Sequence, residues 1–193
     1  MGELLLIVLA AALVNNFVLV QFLGLCPAMG ASRRLEGAMG MALATGLVLT
    51  TASGLSYLVD RFLLQPFDLQ YLKLLSFIVV IAASMQLCEL LIRRLSPLLH
   101  RLLGIYVPVL ASNCALLGVA LLNSTASRSF VAALFYGAGA SLGFGLALAL
   151  IAGLRERLQH ADVPLPFRGA AIVFVTAGIL SLAFLGFAGF ARL

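Results

Sequence analysis

The chain has 193 residues, 63% of them hydrophobic and 10% charged, with a net charge of +5 and a mean hydropathy of +1.16. No water-soluble globular domain has that balance, and the basic residues are scattered between apolar runs, so they are no nucleic-acid footprint. Three cysteines with no sizeable aqueous loop to hold them exclude a disulfide framework.

Apolar runs of about twenty residues, each able to cross roughly 30 Å of hydrocarbon, predict six membrane spans. In chain order these are Leu4–Leu23, Ala38–Leu58, Tyr71–Ile92, Leu102–Leu122, Phe130–Leu154 and Gly169–Phe190. The connections carry turn and charge signals: Arg33-Arg34 with Glu36, Asp60-Arg61 through Pro66 to Asp68, Arg93-Arg94 through Pro97 to Arg101, Asn123-Ser124-Thr125 with Arg128, and Arg155-Glu156-Arg157 through Pro164 to Pro166. All are short, so the whole chain, 1–193, is expected to form a single integral membrane domain. The start has no basic stretch and no small-residue cleavage site, so no removable signal peptide is expected.

Arg33, Arg34, Arg93, Arg94, Arg101, Arg155, Arg157 and Arg168 fall in the first, third and fifth connections, against Arg61, Lys73, Arg128 and Arg192 on the other side. The positive-inside rule then puts the first group in the cytoplasm and both termini on the outer face of the membrane. Six spans divide three and three. Because three is odd, the second half (about 98–193) enters upside down relative to the first (about 1–97). Each half opens with a span carrying Cys-x-x-x-Gly, at Cys26–Gly30 and Cys114–Gly118. Each continues with a glycine-rich span, holding Gly37, Gly40 and Gly46 in one and Gly137, Gly139, Gly143 and Gly145 in the other. That pattern predicts an all-α, inverted-topology repeat with broken first and fourth helices. Glycines that merely permit close helix packing are the simpler account of the second signal.

The break in the first span is expected near Gly24–Pro27. Cys26 lies seven residues before Arg33, and an extended path covers about 23 Å over that stretch. Cys114 lies thirteen residues after Arg101, and a helical path covers about 20 Å. Pro27 and Gly30 favour the extended path, which would bring both thiols to similar depth.

Soft metals and iron–sulfur clusters take thiolate ligands. Cys26 and Cys114 can supply two, and a four-ligand site needs two more from another chain. A lone buried cysteine more often behaves as a small hydrophobe, and Cys88, with no break and no repeat partner, is read as packing. His100 and His160 fall in connections, away from thiol depth. Asn15, Asn16 and Gln21 interrupt the first span and Asn113 the fourth. Such amides cap freed backbone groups or bond between helices, and Asn113, with Gly24 and Pro27, flanks the sulfurs. Glu3 and Glu89 lie close enough to span ends to be solvated. No phosphate loop, dinucleotide fingerprint, HExxH or CxxC is present, so no catalytic residue is assigned and any electrons come from other polypeptides.

Three segments resemble the A-type members of the Rnf (Rsx) electron-transport complexes, which are similar to the D and E subunits of the sodium-pumping NADH:quinone reductase. They are Leu13 through Pro27, with Asn15-Asn16-Phe17-Val18-Leu19-Val20 and Leu25-Cys26-Pro27; Asn113 through Asn123; and Ile151 through Leu158 with Ala161 through Pro164 and Pro166 through Gly169. Gln21 stands where many members carry lysine.

The resemblance implies a homologous E-type partner of opposite topology. It also implies one [2Fe-2S] cluster held by Cys26, Cys114 and two cysteines of that partner. Electrons would pass between ferredoxin and NAD, coupled to Na+ or H+ transport; in some bacteria the acceptor is a redox-sensing regulator. Flavins would belong to other subunits of the set B, C, D and G. The competing reading is a six-span substrate-binding component of a small-solute or vitamin transporter, without metal. A purely scaffolding role is the third.

Overall fold

The computed structural model describes residues 2–14, 16–26, 35–64, 66, 70–95, 113–125, 129–159 and 169–190. The described elements are all helical. α1 spans Gly2–Leu9 and runs on as a π-helical turn, Ala10–Val14; α2 is the short helix Phe17–Gln21. α3 is Leu35–Val59, extended by a second π-helical turn at Asp60–Leu64. A 3-10 turn at Gln70–Leu72 leads into α4, Lys73–Leu95. α5 is Cys114–Thr125, α6 is Phe130–Gln159 and α7 is Ala170–Phe190.

Three stretches are long and apolar enough to cross a membrane: Gly37–Leu64, Lys73–Leu91 and Phe130–Leu158. They coincide with the second, third and fifth expected spans. The first, fourth and sixth expected spans hold shorter apolar helices, at Leu6–Gln21, Cys114–Thr125 and Ala171–Gly186. Residues 102–112 of the fourth lie outside the described residues, as do Asn15, Pro27, Gly30, His100 and His160.

α3 and α6 form the centre of the bundle, and α1, α4, α5 and α7 surround them. Half of the apolar window of α6 is buried against only 28% of that of α4, so α4 is peripheral and turns Leu74, Leu75, Ile78 and Val79 outward. Lipid is as apolar as leucine, so helices in a membrane associate through close packing and interhelical hydrogen bonds. Both are visible along α6. A Cβ on Gly139 would stand 2.9 Å from the backbone of Val8, and one on Gly143 would stand 3.0 Å from the carbonyl of Ala12. The first segment therefore lies directly on the α6 backbone. Further along, the Ser53 hydroxyl donates to the Ala133 carbonyl at 2.7 Å and receives the Asn123 amide, which ties α3, α5 and α6 together.

The first segment is broken twice. One break falls at Phe22–Gly24, slightly ahead of the expected Gly24–Pro27. The other, at Val14–Asn16, is where the amides interrupt the apolar run.

Candidate functional site

Asn16 governs the first break. Its backbone is extended (φ −65°, ψ 102°), and its side-chain oxygen accepts from the Val18 N–H, which caps α2. Its amide nitrogen donates both to the Ala12 carbonyl (3.1 Å), at the end of the preceding turn, and to the Gly143 carbonyl of α6 (2.9 Å). The residue is fully buried. One side chain thus satisfies freed groups on both sides of the break and ties them to the central helix, as irregular backbone at membrane depth requires.

α2 lasts five residues. It ends at Phe22, whose φ of 55° makes it the one positive-φ residue other than glycine among the described residues. The Phe22 and Leu23 N–H groups both turn back to the Phe17 carbonyl. A left-handed conformation costs an L-residue about 1–2 kcal/mol, and strain of this kind concentrates at functional sites. Gly24 follows with φ +86°. There a Cβ would stand 3.1 Å from the Phe144 ring, 3.2 Å from Ala115 Cβ and 3.3 Å from the Asn113 side-chain oxygen. Glycine is needed on both counts.

This turn carries the Gly24 N–H to Cys114 Sγ, at 3.1 Å. Cys114 opens α5 behind its own cap: the Asn113 side-chain oxygen accepts from the Ala115 N–H at 3.0 Å. That bond fixes the orientation of the Asn113 amide and turns its nitrogen elsewhere. The nitrogen is buried and has no partner among the described residues. Cys26 lies two residues beyond Gly24, so its Cα is within about 7 Å of the Gly24 Cα. Both thiols are free and exposed.

The fold therefore brings the two breaks together. Each cysteine stands where helix resumes after a break: Cys114 is the first residue of α5, and Leu25 and Cys26 are helical after the left-handed turn at Phe22–Gly24. The local geometry common to the two breaks belongs to Asn16 and Asn113, each accepting the N–H two residues on. Cys88 is buried in α4 beside the Thr51 hydroxyl (3.2 Å) and packs in the core. Glu89 is half-buried on the same helix, and Gln21 is exposed at the end of α2.

The contributions of Gly143 and Phe144 were not visible in the sequence, because nothing local distinguishes them from the other small and aromatic residues of α6. Asn16 caps freed backbone groups, as expected of an amide that interrupts an apolar run.

What this arrangement can do chemically is limited and specific. It presents two exposed cysteines, one sulfur already receiving a backbone N–H, and, on the residue before Cys114, a buried amide nitrogen without a partner among the described residues. Among the described residues no group of three or more His, Cys, Asp or Glu gathers, so no closed metal site lies within them.

Residues 4–191 match the Rnf-Nqr family, described as Rnf-Nqr subunit, membrane protein. The chain is 58% identical over 193 residues to the A-type member of the ion-translocating oxidoreductase complex of Alkalilimnicola ehrlichii (strain ATCC BAA-1101 / DSM 17681 / MLHE-1). It is 56% identical over 192 residues to the proteins of the same description from Shewanella sp. (strain W3-18-1) and Shewanella baltica (strain OS185). In each case the whole of both chains is covered.

Proposed function

The chain belongs to the Rnf-Nqr family of membrane proteins, and from that premise we propose that it is the A-type component of an ion-translocating ferredoxin:NAD oxidoreductase complex. In this reading it lies in a bacterial inner membrane with both termini periplasmic. It pairs with a homologous E-type subunit of opposite topology, and B, C, D and G subunits complete the assembly. Cys26 and Cys114 supply half the ligands of a [2Fe-2S] cluster shared across the interface with the E-type partner.

The observation that carries this reading is the Gly24 N–H aimed at Cys114 Sγ. Hydrogen bonds to ligand sulfurs are a principal means by which a protein sets the potential of an iron–sulfur centre. The residues present fit such a group. Two free cysteines are exposed, Gly24 donates to one, and the Asn113 amide nitrogen, without a partner among the described residues, offers a further donor. When bound, the cluster supplies reversible one-electron transfer.

The chain's own residues do the rest. Asn113 holds Cys114 at the head of α5. Asn16 and Phe22 shape the turn that carries Cys26. Phe144 and Ala115 wall the turn against water. Exposed thiols and irregular backbone within a bilayer require a protein cover, which is the place of the E-type partner. Coupling to Na+ or H+ requires two arrangements that interact differently with the reduced and oxidised states. The doubly broken first segment, with its π-helical turn, is where this chain can rearrange.

The test is purification of the complex with Cys26→Ser or Cys114→Ser in this chain. Each substitution is expected to remove iron and acid-labile sulfide in equal amounts and to abolish one reduced-state EPR signal. Retention of that signal in both variants would overturn the reading. A metal-free transport component would lose nothing.

A further inference from the structure

The end of α3 carries a polar stripe that the cysteine site does not use. Ser53, Ser56 and Asp60 are spaced three and four residues apart and therefore share one face of the helix. The stripe runs inward from the helix end for about 10 Å. Its two ends are engaged by α5: Asn123 reaches Ser53, and the Ser124 hydroxyl donates to Asp60 Oδ2 at 2.8 Å. Ser56 lies between them. It is 2% exposed, and its hydroxyl has no partner among the described residues.

That orphan is unusual in this molecule. A hydroxyl in a membrane helix normally turns back to a carbonyl three or four residues earlier. Thr45, Thr50, Thr51, Ser84, Thr125, Ser141 and Thr176 all do so. Ser56 does not, although leaving a buried hydroxyl unsatisfied costs about 1–3 kcal/mol. Ser56 shares its helix face with the Asp60 carboxylate, to which the Ser124 hydroxyl is bonded, and a carboxylate with two hydroxyls is the chemistry of a hard cation. Asp60 also begins a π-helical turn, a local irregularity often found at functional sites. Among the described residues, the charged group facing Asp60 is Lys73 of α4. Its ammonium lies 3.8 Å from Oδ1, a loose pair, and 6.0 Å from the centre of the Phe77 ring.

We propose that Ser56, Asp60 and Ser124 bind a small hard monovalent cation of the Na+ class, with Lys73 as a built-in competitor for the carboxylate. The proposal deepens the ion-translocating reading and rests on it for the cation's purpose. It does not depend on the cysteine site.

The experiment is 22Na+ binding to the purified complex, with iron content and the EPR signal recorded on each sample. Ser56→Ala is the decisive variant, because it removes a hydroxyl with no hydrogen-bond partner among the described residues. It is expected to weaken Na+ binding about tenfold, the loss of one charge-assisted interaction. Asp60→Asn should abolish that binding. Lys73→Gln, by removing the competitor, should strengthen it several-fold.

Iron and EPR should be unchanged in all three variants. If Ser56→Ala and Asp60→Asn bind Na+ as the parent does, or if the parent binds none, the site does not exist. A lost EPR signal with Na+ binding intact in the Cys26→Ser complex would separate the two sites. No EPR signal in the parent would sink the cluster reading while leaving the cation result to stand.

Discussion

Phe17 stacks on Phe144 with ring centroids 6.4 Å apart and planes 10° from parallel. The same Phe144 ring closes over Gly24, and its neighbour Gly143 accepts the Asn16 amide. Two consecutive residues of α6 thus hold both ends of α2, and through it the turn that meets Cys114. The shape of the cysteine site is set by the central helix as much as by the segment that carries Cys26.

Replacing Gly24 by alanine tests that turn. The new Cβ would sit about 3 Å from Phe144 and Ala115 in a backbone conformation costing an L-residue about 1–2 kcal/mol. The chain is expected to insert and assemble. The Gly24 N–H should shift away from Cys114 Sγ, and the EPR signal of the complex should move or broaden. A redox titration of purified complex gives the readout, and an unchanged midpoint potential and spectrum would show that this hydrogen bond does not matter.

Asn16→Ala removes a cap and the two hydrogen bonds that the amide gives to the carbonyls of Ala12 and Gly143. Cap loss alone costs about 1 kcal/mol, and the loss of those bonds raises the total to roughly 2–3 kcal/mol. Thermal unfolding of the complex in detergent is expected to shift down accordingly. Asn16→Asp keeps the acceptor for Val18 but not the donor. It also sets a carboxylate oxygen against the Ala12 and Gly143 carbonyls in a fully buried site, so it is expected to be at least as damaging as alanine.

Gly143→Val is expected to force α1 off α6, because the carbonyl of Ala12 would lie 3.0 Å from the new Cβ and is backbone that cannot step aside. Overpacking of this kind costs about 1–3 kcal/mol. Limited proteolysis of the amino-terminal segment, compared with the parent, reads the loss of docking. Gly153→Ala, where nothing lies within 4 Å, is the control and should leave the digestion pattern unaltered.

Cys88→Ala separates packing from ligation. Its side chain is buried against Thr51. The variant is therefore expected to lose about 1 kcal/mol of stability while retaining full iron content and spectrum. A drop in iron would require a third thiol at the centre.

Much of this molecule is written locally. Hydropathy over twenty residues marks where helices run, and Asn16, Gly24 and Asn113 mark where they stop, because capping and left-handed turns depend on neighbours within a few positions. The placing of two sulfurs beside those stops was also legible, as was the packing role of Cys88. The Cys-x-x-x-Gly spacing put both cysteines beside helix breaks, where Cys26 and Cys114 do lie, but it could not say what packs against those breaks. The first break at Val14–Asn16 shows the same limit: the amides signalled an interruption, but the partner that makes it tolerable is on α6.

Contacts across the chain were decided by tertiary structure alone. Gly24 and Cys114 are 90 positions apart, and Asn16 and Gly143 are 127. Which of many small residues in α6 receives the first segment depends on how the helices slide and rotate against one another. In a lipid-like surrounding that choice is governed by shape and by pairing of buried polar groups, not by hydrophobicity. Composition therefore determined that the chain enters a membrane, and local chemistry determined where its helices break. Only the packed bundle determined that one break delivers an N–H to the sulfur of the other, and that the Ser56 hydroxyl is buried without a partner among the described residues.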